Sequence, residues 1–251
     1  MRVVVTRPAR EAAQWVAQLR ERGHDAIALP LIAITPAPDA QSLADAWDSL
    51  DRHGAVMFVS ANAVHGFFAA GASWPQDGPR AWAPGPATAE ALREAGVPPA
   101  QIDAPAPDAA QFDSESLWAE VRGRLAPGSR LLLVRGADAE GRSQGREWLS
   151  QQLAAGGVGV DEVAAYARGI PAWSEQDVAQ ARAAAGDCWL FSSSEAARNL
   201  AQLLPGQDWS KARALATHPR IAQAVQALGF GYVQQCRPGL PDVVASIESS
   251  R

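Results

Sequence analysis

Lysine is almost missing from this chain: Lys211 stands alone beside 21 arginines. The arginines are scattered, and 22 basic against 27 acidic residues leave a net charge of −5. No basic stripe exists to follow a phosphate backbone, so nucleic acid is excluded as a partner. Cysteine is equally scarce. Cys188 and Cys236 both fall in expected strands, where a thiol packs as a small hydrophobe, and two cysteines build no disulfide framework. The four histidines, His24, His53, His65 and His218, are dispersed, and no His/Cys cluster has metal-ligand spacing. No stretch approaches 18 apolar residues, which excludes a membrane helix. Met1-Arg2 runs directly into Val3-Val4-Val5 with no apolar leader, so the expected location is the cytoplasm. A P-loop, a G-x-G-x-x-G after the first strand and a G-x-S-x-G elbow are all absent. Gly156-Gly157-Val158-Gly159 lies at a helix end, where it cannot cradle a phosphate.

What is present is a globular composition, with 251 residues, 47% hydrophobic and 20% charged, enough for one large domain or two of ordinary size. The chain is organised around residues 55 to 64, AVMFVSANAV, a buried strand that runs through a small polar turn into an alanine-rich helix. This pattern recurs at Asp187 to Ala196, DCWLFSSSEA, an offset of 132. Two further echoes keep the same order. Thr6-Arg7 matches Val134-Arg135 at an offset of 128, and Arg80 to Ala83 matches Arg213 to Ala216 at 133. Three echoes at nearly one offset indicate an internal duplication.

Strands are expected at Val3 to Thr6, Ala26 to Leu29, Ala55 to Val59, Arg80 to Pro84, Gln101 to Ala104, Arg130 to Val134, Gly159 to Tyr166, Cys188 to Phe191, Ala214 to Thr217 and Tyr232 to Gln235. Helical patterns stand between most of them, closed by punctuation such as Gly23 and Gly96. Short apolar strands alternating with helices predict parallel sheets covered on both faces and bound at their carboxyl ends. Pro30 to Pro38 and Gly169-Ile170-Pro171 are extended, proline-marked crossings. The expected fold is α/β: two flavodoxin-like parallel-sheet lobes joined by a two-stranded linker. The first lobe is discontinuous, 1 to 36 plus 171 to 251, and 38 to 168 form an inserted lobe, with a ligand cleft between the two.

At the expected strand tips stand Thr6, Arg7, Ser60, Asn62, Gly85, Thr88, Arg135, Gly136, Ser192, Ser193, Ser194, Thr217 and Arg220, nearly all donors. Such a ring suits a substrate with many carboxylates held in one shape, because unpaired N–H groups and the helix dipole favour an anion. Plain helix capping explains the serines equally well. Arg7 and Arg135 are either substrate contacts or structural bonds across the sheet tips. Tyr166, one of two tyrosines, leaves the inserted lobe beside the expected cleft, where it either donates a proton to a leaving group or merely caps the boundary.

These residues resemble the uroporphyrinogen-III synthase family over nearly the whole chain. The resemblance is carried by Val5-Thr6-Arg7-Pro8, Pro30-Leu31-Ile32, Ser60 to Val64, Pro84 to Leu92, Leu133 to Gly136, Gly145-Arg146 before a helix, Val163 to Arg168, Phe191 to Ser194, and Gly229-Phe230. It departs in two places. Thr217-His218-Pro219-Arg220-Ile221 lacks a hydroxyl at 221, and Ala137 to Gln144 lengthen a loop. The resemblance implies a cofactor-independent lyase that cyclises hydroxymethylbilane, with loss of water and inversion of the last pyrrole ring, to uroporphyrinogen III. It implies Tyr166 as the proton donor to the leaving hydroxyl, carboxylates held by Thr88 and by the turn at Ser192 to Ser194, Arg146 among the substrate contacts, and lobe closure around the substrate. It further implies a monomer that associates transiently with hydroxymethylbilane synthase. The competing class is a two-lobed polycarboxylate-binding protein without chemistry. A flavodoxin-like nucleotide-binding domain lacks its phosphate-loop glycines here.

Overall fold

The structure, a computed structural model, describes residues 2–69, 73–106, 109, 112–138 and 148–249. Strand β1 (Val3–Val5), helix α1 (Ala9–Glu21) and strands β2 (Ala26–Ala28) and β3 (Ala33–Pro36) come first. Helix α2 (Ala40–Asp48), strand β4 (Ala55–Phe58), helix α3 (Ala61–Phe68), strand β5 (Arg80–Trp82) and helix α4 (Pro86–Glu94) follow. Next are β6 (Ile102–Asp103), α5 (Ser114–Val121), β7 (Arg130–Ala137), α6 (Trp148–Ala155) and the long β8 (Gly159–Gly169). Then the alternation is regular: α7 (Glu175–Ala183), β9 (Cys188–Phe191), α8 (Ser194–Leu203), β10 (Arg213–Ala216), α9 (Pro219–Gln226), β11 (Tyr232–Gln235) and α10 (Leu240–Glu248).

The chain divides into two compact units, 1–33 with 169–251 and 34–168. The first holds a sheet of order β11-β10-β9-β1-β2, and the second a sheet of order β3-β8-β7-β4-β5-β6. The pairings β1 with β2 and β9, and β10 with β9 and β11, are parallel. So are β4 with β5 and β7, β5 with β6, and β7 with β8. The expected α/β class with parallel sheets is what the chain forms. Its cause is visible in the strands: β1, β4 and β9 are buried at every residue, as strands covered on both faces must be. Within the proline-bounded segment read as a linker, Ala33–Pro36 forms the edge strand beside β8, an edge being where a proline without an N–H is tolerated.

In the second unit the sheet separates two cores. Phe58, Leu132, Val134 and Val163 pack with α3 and α4 residues such as Val64, Phe67 and Leu92. Met57, Leu131 and Leu133 pack on the other face with Leu117, Val121, Leu149 and Leu153 of α5 and α6. Successive residues of β7 therefore alternate between the α3 side and the α5 side.

The duplication shows in the two sheets with one correction of register. Val3 pairs with Cys188, and Leu131 pairs with Ala55. With β1 matched to β7 at an offset of 128, β4 therefore matches β9 at 133 and not 132. The same shift aligns the two helix caps, Ser60 and Ser193. It also equals the offset between Arg80 and Arg213, which pair with Ala55 and Cys188. The similarity of the short serine-rich turns allowed the slip, and strand pairing removes it, because one residue reverses every side chain.

Candidate functional site

At the carboxyl end of the six-stranded sheet, β4 runs through Val59-Ser60 into α3. The Ser60 hydroxyl accepts from the Ala63 amide at 3.2 Å, a cap that contributes about 1 kcal/mol. The same hydroxyl lies 3.2 Å from the phenol oxygen of Tyr166, which is 5% exposed. Gly136 pairs with Tyr166 across β7 and β8. Sequence-expected residues Ser60, Gly136 and Tyr166 are thus one cluster on the α3 side. Asn62 is in the first turn of α3, Gly85 is the N-cap of α4, and Thr88 is buried within α4.

Arg135 is one residue from Gly136 and belongs to the opposite face. Its Nη1 donates to Glu162 Oε2 at 2.9 Å, and its side chain is 7% exposed. Buried guanidinium is costly without a counter-ion, so Glu162 is what permits it there. Arg135 lines a recess of about 270 Å³ with Met57, Val59, Phe112, Asp113 and Leu149. Arg135 and Tyr166, both expected among the residues of the site, therefore serve different faces of one sheet.

In the first unit, Thr6, Arg7, Ser192, Ser193, Ser194 and Thr217 follow the carboxyl ends of β1, β9 and β10, with Arg220 in the first turn of α9. Several are occupied with bonds inside this unit. Thr6 Oγ1 donates to the Leu190 carbonyl at 2.7 Å. Arg7 donates to Glu11 at 3.2 Å and lies 4.3 Å from the Trp15 ring centroid, and burial pushes its guanidinium below the ordinary value while Glu11 opposes that shift. Ser193 caps α8 by accepting from Glu195 N, and Ser194 donates to the Arg220 carbonyl at 3.4 Å. Thr217 N donates to the Phe191 carbonyl, and His218 caps α9 through Nδ1. Ile221, where the hydroxyl is missing, is buried. Arg146 lies outside the described residues.

Sequence reasoning missed Glu162, the recess wall at Phe112-Asp113, and the close approach of α3 to β8. A Cβ placed on Gly66 would be 2.1 Å from the Ala165 carbonyl oxygen. A lone glycine in the middle of helix α3 was the available signal for that approach. Among the described residues no three His, Cys, Asp or Glu side chains gather as a metal site, and no helix is long and apolar enough to cross a membrane.

Comparison with known proteins gives one consistent family. The profile of the family described as uroporphyrinogen-III synthase HemD matches residues 13–245. A uroporphyrinogen-III synthase of Synechococcus elongatus is 32% identical over 222 residues, which span 83% of this chain and 77% of that protein. A mutant uroporphyrinogen III synthase from the extremely thermophilic bacterium Thermus thermophilus superposes with a TM-score of 0.56 at 19% identity, covering 100% of this chain and 98% of that one. The uroporphyrinogen-III synthetase of Helicobacter pylori 26695 gives 0.58 at 15% identity, with 100% of both chains covered. At these identities the two structures speak for the fold.

Proposed function

The chain belongs to the uroporphyrinogen-III synthase family, and from that premise we propose that Tyr166, hydrogen-bonded to Ser60, is the group that protonates the departing hydroxyl. The reaction is a lyase reaction: hydroxymethylbilane, a linear tetrapyrrole, loses water and closes to uroporphyrinogen III with its last ring inverted. The terminal C–O bond breaks as the oxygen takes a proton, and the electron pair of the adjoining pyrrole nitrogen stabilises the cation left behind. The substrate supplies most of the driving force, so what is needed is a correctly placed proton and a held shape. The observation that carries the reading is the 3.2 Å contact between Ser60 Oγ and Tyr166 Oη at the carboxyl end of a parallel sheet, where open α/β sheets present their ligands.

Of the expected donors, Thr6, Arg7, Asn62, Gly85, Thr88, Arg135, Ser192, Ser193, Ser194, Thr217 and Arg220, with Arg146 added by resemblance to the family, form the set from which the substrate's carboxylates are held. Each of those on the first unit offers backbone or side-chain donors at strand ends or helix starts. The protein works in the cytoplasm as a monomer, and hydroxymethylbilane synthase, as the source of an unstable substrate, is its transient partner.

The test is to supply freshly generated hydroxymethylbilane, oxidise the products and separate the uroporphyrin isomers. Isomer III in excess is expected; isomer I at the rate without protein would reject the activity. For the proton donor, Tyr166→Phe should lower turnover by about 100-fold, the general-acid range, and weaken product binding far less. Equal loss in both would remove Tyr166 from the acid role.

A further inference from the structure

The strand that carries Tyr166, β8, does not pair evenly with β7. Arg135 pairs with Ala164, but Gly136 pairs with Tyr166, which leaves Ala165 as an extra residue in β8. Before this bulge the strand alternates normally: Val160 packs on the α5 side, Glu162 meets Arg135 there, and Val163 packs on the α3 side. Unbroken alternation would return Tyr166 to the α5 side, beside Arg135. With the bulge, Ala165 and Tyr166 both enter the α3-side core. A bulge re-aims one side chain at the cost of one unpaired residue.

The re-aimed ring then needs room. A Cβ placed on Gly136 would be 2.5 Å from Tyr166 Cζ and 2.8 Å from its hydroxyl oxygen. Gly136 is not among the glycines with positive φ, so space and not backbone conformation is what requires a glycine there. On the other side, Gly66 lets α3 approach the Ala165 carbonyl, and the serine capping that same helix reaches the phenol oxygen.

We infer that Gly136 and the Ala165 bulge position the Tyr166 hydroxyl, with Gly66 and Ser60 completing the seat, so that Gly136 governs turnover through Tyr166 without contributing a reacting group. This rests on Tyr166 as the proton donor. A displacement of about 1 Å is enough to cost about 100-fold in a reaction that depends on orientation. Gly136→Ala is therefore expected to lower kcat by about 10- to 100-fold with KM nearly unchanged.

Two readouts separate this role from a general structural one. The chain has two tyrosines, so 3-fluorotyrosine incorporated into Tyr232→Phe protein gives one fluorine resonance, that of Tyr166. Gly136→Ala should shift it; an unmoved resonance overturns the inference, whatever happens to turnover, and so does a shift with full turnover. In the Tyr166→Phe background, Gly136→Ala should cost no further activity, and an additional loss would mean that Gly136 acts without Tyr166. Should Gly136→Ala fail to fold, Gly136→Ala/Tyr166→Ala should fold because the obstructing ring is gone; failure of both overturns the inference. Full turnover in Tyr166→Phe overturns the proton-donor reading and the catalytic role of Gly136 with it, while the fluorine shift still decides whether Gly136 seats the ring.

Discussion

The two units have the same sheet order and fill one equivalent point differently. Read from one edge, β2-β1-β9-β10-β11 corresponds to β8-β7-β4-β5-β6, with β3 as an addition. Gly66 of α3 is the counterpart of Asn199 of α8, at the offset of 133 that also relates Ser60 to Ser193. In the first unit, Asn199 Nδ2 donates to the Leu31 carbonyl at 2.7 Å. In the second, Gly66 has no side chain, and the helix comes within 2.1 Å, measured from an added Cβ, of the Ala165 carbonyl oxygen. Register makes those carbonyls counterparts as well: Val3 pairs with Ala26 and Leu131 with Val160, an offset of 134 between β2 and β8. One unit spans a gap with a hydrogen bond; the other closes it. Closing it brings Ser60 to a phenol, whereas Ser193 only caps its helix. The strands differ to match, since β1 has three residues and β7 has eight, long enough to pair with the bulge and Tyr166.

The strongest way to break the comparison is to put a side chain where the closure occurs. Gly66→Ala collides with backbone, which cannot rotate aside, so the gain of about 1 kcal/mol in helix propensity should be outweighed by overpacking, for a net loss of about 2 kcal/mol or more. Denaturant unfolding measures it, and a stabilised variant would contradict the close approach. Asn199→Ala should lose about 1–3 kcal/mol by the other mechanism, leaving the buried Leu31 carbonyl without its donor.

A smaller pair of effects sharpens the contrast in function. Ser60→Ala and Ser193→Ala each remove an N-cap and should each cost about 1 kcal/mol of stability. If the two tips differ as described, Ser60→Ala also moves the Tyr166 hydroxyl and lowers kcat more than Ser193→Ala does. Substrate turnover followed beside thermal unfolding checks both at once; equal kcat losses would count against the Ser60–Tyr166 contact as a functional one.

The strand and helix alternation was legible in the sequence because β1, β4, β7 and β9 are short apolar runs that parallel sheets bury on both faces. That a small polar residue caps each alanine-rich helix was legible for the same local reason, but which residue of each turn does so, Ser60 and Ser193, was not. What could not be read was anything set by pairing. The bulge at Ala165 has no residue signature, since Ala164-Ala165-Tyr166 looks like ordinary strand, and so the splitting of Arg135 and Tyr166 onto opposite faces was hidden. The one-residue error in offset had the same origin. Gly66 and Gly136 were visible as letters, but their meaning is the atom each one makes room for.

The smallest expected effect lies at the opposite ends of the same strands. Arg130 donates to Asp161 through Nε at 2.6 Å and again through Nη2, and His53 Nε2 lies 3.0 Å from the same carboxylate. Arg2, the counterpart of Arg130 at the offset of 128, donates to Asp25 at 3.1 Å through a single contact, and that carboxylate is the more open of the two, 61% exposed against 36% for Asp161. Arg130, with a lesser share from His53, holds the Asp161 carboxyl below the ordinary aspartate value of 3.8, against an opposing effect of partial burial. A lowered carboxylate contributes stability that is fully present above its unfolded-state value and is lost as pH falls through the folded-state one. The contribution of Asp161 should therefore be complete at neutral pH and disappear below about pH 4. Asp161→Asn should then flatten the stability profile across that acid limb, read from tryptophan fluorescence during denaturant unfolding at several pH values. Because solvent reaches both ion pairs, the change should be small, and Arg130→Gln should exceed Arg2→Gln in it; the reverse order would mean that the doubled contact at Asp161 confers nothing over the single one at Asp25.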